Sequence, residues 1–397
     1  MYTVIFMGFI GYSLMTTIFT PMILNAKIPY FALFSNSKSF RTIILGLILF
    51  LYPLGQFLGA PILGALSDRY GRKSILLKSL FLGLIFYIGI SLGIYYHLFV
   101  LLLCSLFLAG LCEANVAIAQ GAITDLSPKE ERTRYFGYIY VAASLAFVVG
   151  PLVGGKLADP KLSHLFNYAT PFMAVCILLL LTLLWILFFF KETHEPDASS
   201  SVHWFDALKN MANIIKSKKL RPFYGINFLT GFAMFGFFRC YPMYLVDKFH
   251  MDVSQESEFI AWVSVPIILT NVWLVGYLSK RFALKKIIFI SSLLLGISLF
   301  IFLIPNREYA LWITLFFPAL FIGLLMPTCA GLLSLQAKSA EQGAVMGNNQ
   351  SLALCAEAVS ALFAGLLAAW FIQLPIIALG IIAFLVFFLI TRIKVAQ

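Results

Sequence analysis

A chain of 397 residues that is 61% hydrophobic and 11% charged has too little polar surface to cover a water-soluble globule, whereas lipid accepts apolar side chains on the outside. The formal net charge of +11 invites a nucleic-acid reading. The basic residues, however, collect in short stretches between apolar runs, which suits membrane orientation better than phosphate binding. The fold class that remains is an all-α polytopic membrane protein, with the lipid bilayer as its first partner and no nucleic acid.

Inside hydrocarbon every backbone N–H and C=O must be satisfied within the segment, so each apolar stretch of about 20 residues is predicted to be a helix. In chain order the predicted spans are 2–24, 42–66, 74–95, 98–121, 136–157, 168–190, 223–246, 258–279, 286–304, 310–333, 344–371 and 374–391, twelve in all. The first begins at Met1 with no basic stretch before it, so it reads as a retained span and not a cleaved signal. Cys104, Cys112, Cys176, Cys240, Cys329 and Cys355 fall inside spans with no CxxC or His-Cys cluster. They read as buried unpaired thiols, and neither a metal nor a cofactor is expected.

The loops orient the chain. With both termini on the cytoplasmic side, that side receives twenty basic residues, among them Arg69, Arg72, Lys73 and Lys78, against seven on the other. This is the imbalance expected of an even number of spans with both termini inside; the expected location is a cell membrane of the bacterial cytoplasmic type. The longest polar interval, 191–221, divides the chain into six-span halves, 1–190 and 222–397. Within it Trp204, Leu208, Met211 and Ile215 recur at helical spacing, which fits a short helix on the cytoplasmic face or an ordinary linker helix.

Polar side chains within the spans are the candidates for lining a cavity. Tyr12 and Thr16 in the first span, and Tyr52 and Gln56 in the second, are i,i+4 pairs; Asn227 in the seventh and Asn271 in the eighth add hydrogen-bonding groups. Aromatic walls with a few such groups suit a small amphipathic organic solute. Glu113 stands 12 residues before Asp125, about 18 Å from that helix end at the helical rise. Gly110, Ala117 and Gln120 share its predicted face. Glu357 lies 14 residues beyond Gly343, about 21 Å in, and Arg239 lies 16 beyond Phe223, about 24 Å in. An ionised group at such depth is costly unless it meets water, a counter-charge or polar neighbours. Glu113 and Glu357 therefore read either as substrate- or proton-handling groups or as structural polar contacts. Arg239 reads as an anion contact, a partner for one of the acids, or a snorkelling cation.

Between spans two and three the chain reads Gly64-Ala65-Leu66-Ser67-Asp68-Arg69-Tyr70-Gly71-Arg72-Lys73. Glycines permit close approach and a tight reversal, Asp68 can pair with a cation or cap helix N–H groups, and the basic residues hold an anionic surface. This order resembles the signature loop of the major facilitator superfamily. The resemblance implies two six-helix bundles, a central site that alternates between the two sides, and a cytoplasmic gate to which Gly64, Asp68, Arg69, Gly71, Arg72 and Lys73 belong. An equivalent stretch, Gly276 to Lys286, recurs in the second half with Lys280 near the place of the acid. Gly150-Pro151-Leu152-Val153-Gly154-Gly155 suits helix packing. It also resembles a motif of the drug/proton antiporter branch that includes the tetracycline exporters. Asp125-Leu126-Ser127-Pro128 with Glu130, Glu131 and Arg132, and Ser334 to Ser351 in the second half, resemble the same branch. In that branch an arginine usually stands four residues before Gly110; here the position is Leu106.

The expected function is proton-coupled efflux of a small amphipathic organic compound by alternating access, with protons as coupling ion and a monomer as the working unit. The rival readings are import of an anionic nutrient or metal-chelating ligand, and a receptor on a transporter scaffold. No phosphate-binding loop or HExxH or GxSxG motif supports ATP-driven transport or an enzyme.

Overall fold

The computed structural model describes residues 1–25, 37–126, 132–193, 206–337 and 342–393, and among these it contains helices and no strand. The helices are α1 (Tyr2–Leu24), α2 (Lys38–Tyr70), α3 (Arg72–Tyr95), α4 (Phe99–Glu113), α5 (Asn115–Leu126), α6 (Arg132–Leu157), α7 (Thr170–Phe189) and α8 (Asp206–Lys216). They continue as α9 (Arg221–Phe249), α10 (Val253–Leu269), α11 (Val275–Arg281), α12 (Leu284–Phe302), α13 (Leu311–Thr314), α14 (Phe316–Gln336), α15 (Gln342–Ala368) and α16 (Leu374–Arg392).

Ten helical segments among the described residues are long and apolar enough to cross a membrane. Three are composite: α4 with α5, α10 with α11, and the run Glu308–Gln336 that contains α13 and α14. The two remaining predicted spans coincide with α6, whose described apolar part is Val141–Leu157, and α9, whose sequence includes Asn227, Arg239 and Asp247. Helix α8 covers the amphipathic linker stretch, while Trp204 lies outside the described residues.

Two composite spans owe their form to identifiable local causes. The helix is interrupted at Ala114, where Ala114 N–H bonds the Cys112 carbonyl and Ala117 N–H bonds that of Ala114, short-range contacts in place of the α-helical ladder. Between α10 and α11, Thr270–Leu274 forms a π-helical turn. There Thr270 Oγ1 donates to the Pro266 carbonyl at 2.7 Å and Asn271 Nδ2 to that of Ile267 at 3.0 Å, side-chain bonds to the carbonyls four residues back at the start of the widened turn.

The chain forms two compact units. The first comprises Met1–Asn36, Leu51–Ala207 and Met251–Glu258, and the second Ser37–Phe50, Leu208–His250 and Phe259–Gln397; α2 passes from the second to the first after Phe50. Within the first unit α1 packs on α5, α6 and α7, and α3 packs on α4 and α7. Within the second, α9 packs on α14, α15 and α16, and α12 packs on α14 and α16. The second pattern repeats the first element for element, as two internal structural repeats would.

Small residues set the closest contacts. A β-carbon on Gly110 would run into the backbone carbonyl of Tyr52, and one on Gly55 into that of Phe107, so α2 and α4 meet backbone to backbone in the first unit. In the second unit Gly46 and Gly365 face each other, the Gly365 Cα lying 2.9 Å from where a Gly46 β-carbon would sit.

Candidate functional site

The first unit holds a buried acid at a helix break. Glu113 is the last residue of α4, 3% exposed, and neither of its carboxyl oxygens has a hydrogen-bond partner among the described residues. It lies against Gly11 of α1: a β-carbon there would come within 3.1 Å of Glu113 Oε1 and would strike the Tyr87 hydroxyl. That hydroxyl, from α3, is likewise buried without a partner. Glycine at position 11 thus leaves room for an acid and a phenol from two neighbouring helices. The break at Ala114 stands between Glu113 and the Ala117 and Gln120 positions, and Gly110 packs on α2. Tyr12, Thr16 and Tyr52 are also buried in this unit; Tyr12 and Tyr52 have ring centroids 6.2 Å apart, and Tyr12 stands edge-on to Phe147. Gln56 and Gln120 are half-buried.

The second unit holds a buried ion pair. Arg239 on α9 donates from Nη2 to Glu357 Oε1 on α15 at 3.3 Å, and the side chains are 1% and 5% exposed. Of the three fates open to Arg239, the structure shows partnership with an acid. Asn227 is occupied in helix packing, its Nδ2 donating to the Phe223 carbonyl at 2.9 Å and across to that of Cys329 on α14 at 3.2 Å. Asn271 is exposed and bonds back within the π-helical turn.

The α2–α3 loop is a charge network built around Arg72. Its Nη1 lies 2.6 Å from Asp68 Oδ1 and 2.7 Å from Ser67 Oγ, and its Nε lies 3.1 Å from Asp125 Oδ2 on α5. The guanidinium passes close over Gly121. Gly71 makes the reversal with φ +90°, a conformation that favours glycine, and a β-carbon there would also meet Glu192. Glu192, which the sequence reading did not single out, caps α3: its carboxylate accepts the Arg72 N–H at 2.8 Å and the Lys73 N–H at 3.0 Å, as suits the positive end of a helix. Lys73 Nζ donates to the Leu187 carbonyl and Arg69 rests over the Tyr70 ring. Gly64 has nothing within 4 Å of its β-carbon position. Arg132 begins α6, and its side chain lies outside the described residues, as do Ser127, Pro128, Glu130 and Glu131.

This fold, with its duplicated packing and its Asp68–Arg72 loop, has many known counterparts. The sequence matches the Major Facilitator Superfamily over residues 1–270 and again over 223–396. The chain belongs to the Major Facilitator Superfamily. Its relatives include a class C tetracycline resistance protein of Escherichia coli, 27% identical over 321 residues covering 77% of this chain and 75% of that protein. The quinolone resistance protein NorA of Staphylococcus aureus (strain COL) is 24% identical, covering 85% and 84%. A class H tetracycline resistance protein of Pasteurella multocida is 38% identical over 157 residues, a match spanning 38% of this chain and 36% of that protein. These relatives are consistent with the drug/proton antiporter branch. Among solved structures the fold is shared with the human organic anion transporter MFSD10 (TETRAN), at TM-score 0.71, 20% identity and 98% coverage of both chains. It is also shared with a D-xylose-proton symporter, at TM-score 0.75, 14% identity and 96% coverage of both. As a superfamily member the protein is a secondary transporter of small molecules by alternating access, not an enzyme.

Two features gain meaning within the superfamily. In α6, Gly150 and Gly154 lie against Ser13 and Leu14 of α1, and Gly155 lies against Ser257; a β-carbon at any of the three would overlap its neighbour. Pro151 lies within that helix. Glu256, in the first turn of α10, is fully buried with neither carboxyl oxygen bonded among the described residues, and sequence reasoning missed it. An acid in a first turn ordinarily reads as a solvated group favoured by the helix dipole, so no sequence signal set it apart.

Proposed function

We propose that this transporter exports small amphipathic organic compounds in exchange for protons, with Glu113 as the proton-carrying group. In this reading it has twelve spans, halves 1–190 and 222–397 joined by the linker 191–221, both termini inside a bacterial cytoplasmic membrane, and a monomeric working unit. The observation that carries the proposal is the buried Glu113 carboxyl, which among the described residues has no hydrogen-bond donor or ion-pair partner on either oxygen. An ionised carboxylate in that setting is costly. Proton uptake would accompany its burial, and release would accompany the conformational change that opens it, which is how a proton gradient drives alternating access.

Relatives named for tetracycline and quinolone resistance support export, since resistance is what removal of a toxic amphipathic compound provides. Tyr12, Thr16, Tyr52 and Gln56 are the proposed wall of the cavity in the first unit, and the Arg72 network is the proposed gate. Import of an organic anion would draw on Arg239, but that guanidinium already has Glu357 opposite it, so an anion would have to displace a buried carboxylate.

Proteoliposomes with an imposed pH gradient test the proposal. Tetracycline should accumulate in the acidic lumen with wild-type protein and not with Glu113→Gln, while gradient-independent exchange of labelled for unlabelled tetracycline persists in both. Gradient-driven accumulation by Glu113→Gln at the wild-type rate would remove Glu113 from the coupling.

A further inference from the structure

The second unit contains a groove of about 400 Å³ between α11, α12 and α14, within the size range of ligand sites. Its walls are almost wholly apolar, with Leu278, Ile290, Leu294 and Phe321 among them, and one end carries Lys286 beside Phe282. The groove follows α12 from Lys286 to Leu294, a run of about 12 Å at the helical rise. It is therefore an apolar trough with a cation at one end.

That end is the α11–α12 turn, the counterpart of the Asp68 loop. In the first unit Arg72 has two carboxylates beside it and Glu192 covers the helix start. In the second unit Lys280, Arg281, Lys285 and Lys286 fall within seven residues, and among the described residues none is paired with a carboxylate. Lys285 is spent on the Thr391 and Ile393 carbonyls at the end of α16. Arg281 lies over the Tyr277 ring at 4.3 Å and Lys286 over the Phe282 ring at 5.0 Å. Stacking on a ring face leaves their N–H donors available to an anion. Trp273 and Tyr277 beside them are exposed, as amphipathic rings are at the level of lipid headgroups.

We propose that this groove binds an anionic phospholipid, with one acyl chain along the apolar trough and the phosphate at Lys286, the cation that lines its end. The fit is one of charge and polarity together: a negative head at the basic end and a hydrocarbon chain along a wall that offers it no hydrogen bond. A free phosphate would leave the trough uncovered, and a neutral lipid would leave the cations unanswered. Basic pockets between spanning helices recognise lipid headgroups by this chemistry.

The test titrates detergent-purified, delipidated protein with phosphatidylglycerol or phosphatidylcholine and counts retained lipid by native mass spectrometry. Wild-type protein should retain phosphatidylglycerol in preference to phosphatidylcholine. Lys286→Gln should weaken that retention about fivefold, the effect of one basic residue near a lipid phosphate. Ile290→Trp should lower it by obstructing the trough while the cations remain, with unchanged melting in detergent verifying the fold of both variants. Equal retention of the two lipids, wild-type retention by both folded variants, or displacement of phosphatidylglycerol by equimolar inorganic phosphate would overturn the proposal.

Discussion

Glu113 and Glu357 are both carboxylates buried inside bundles whose helices pair in the same pattern, yet among the described residues the first has no hydrogen-bond partner and the second is paired with an arginine. The scaffold was duplicated and the electrostatics were not. A carboxyl without a counter-charge can change its protonation when the environment opens, whereas one held by a guanidinium is tied to its partner and serves to fix two helices together. The same contrast recurs at the loops, where the first unit balances its cations with Asp68, Asp125 and Glu192, while among the described residues no carboxylate is paired with Lys280, Arg281, Lys285 or Lys286 in the second.

If this division is right, stability should respond in opposite ways to changes in the two centres. Arg239→Ala strips Glu357 of its arginine inside the bundle and should cost about 3–5 kcal/mol, read as a lowered melting temperature in detergent. Glu113→Leu removes a carboxyl that has no partner and should be neutral or stabilising in the same assay. Equal losses in both would erase the contrast. A smaller effect is expected from Gly110→Leu, which forces α4 off the Tyr52 carbonyl beside the Glu113 break. Overpacking of this kind costs about 1–3 kcal/mol, and an unperturbed melting temperature would show that the α2–α4 contact is not as close as described.

The smallest effect concerns the link between Lys161 and Asp252, 2.6 Å apart at the surface. Burial alone pushes the Asp252 carboxyl up, but the hydrogen bond from Lys161 and those from the start of α10 outweigh it and hold the group below its ordinary value. Lys161 is raised, first by its hydrogen bond to Asp252. A depressed carboxyl contributes stability above its unfolded value, about pH 4, and loses it as the pH falls through the folded value. Melting temperature should therefore fall less on acidification from pH 5 to about pH 3 in Asp252→Asn than in wild type.

Much of this was readable in the chain. Hydropathy located the membrane helices, and the rarity of charge inside apolar runs drew attention to Glu113, Arg239 and Glu357. The ion pair itself was not legible, because 118 residues separate its members and only folding decides which acid the arginine meets. The break at Ala114 was hidden among ordinary helix formers. The sequence does not reveal that the Asn227 amide Nδ2 reaches across to the Cys329 carbonyl. Glu256 escaped notice because it stands where helices commonly carry exposed acids, and Glu192 because its partners are backbone N–H groups that any sequence would offer.

The central claim, that Glu113 exchanges a proton and the Arg239–Glu357 pair does not, is tested most directly by proton release on substrate binding. Purified protein in weakly buffered detergent, mixed with tetracycline beside a pH indicator, should release protons in the wild type. Glu113→Gln should bind the compound and release none. Release by Glu113→Gln equal to that of wild type would contradict the account.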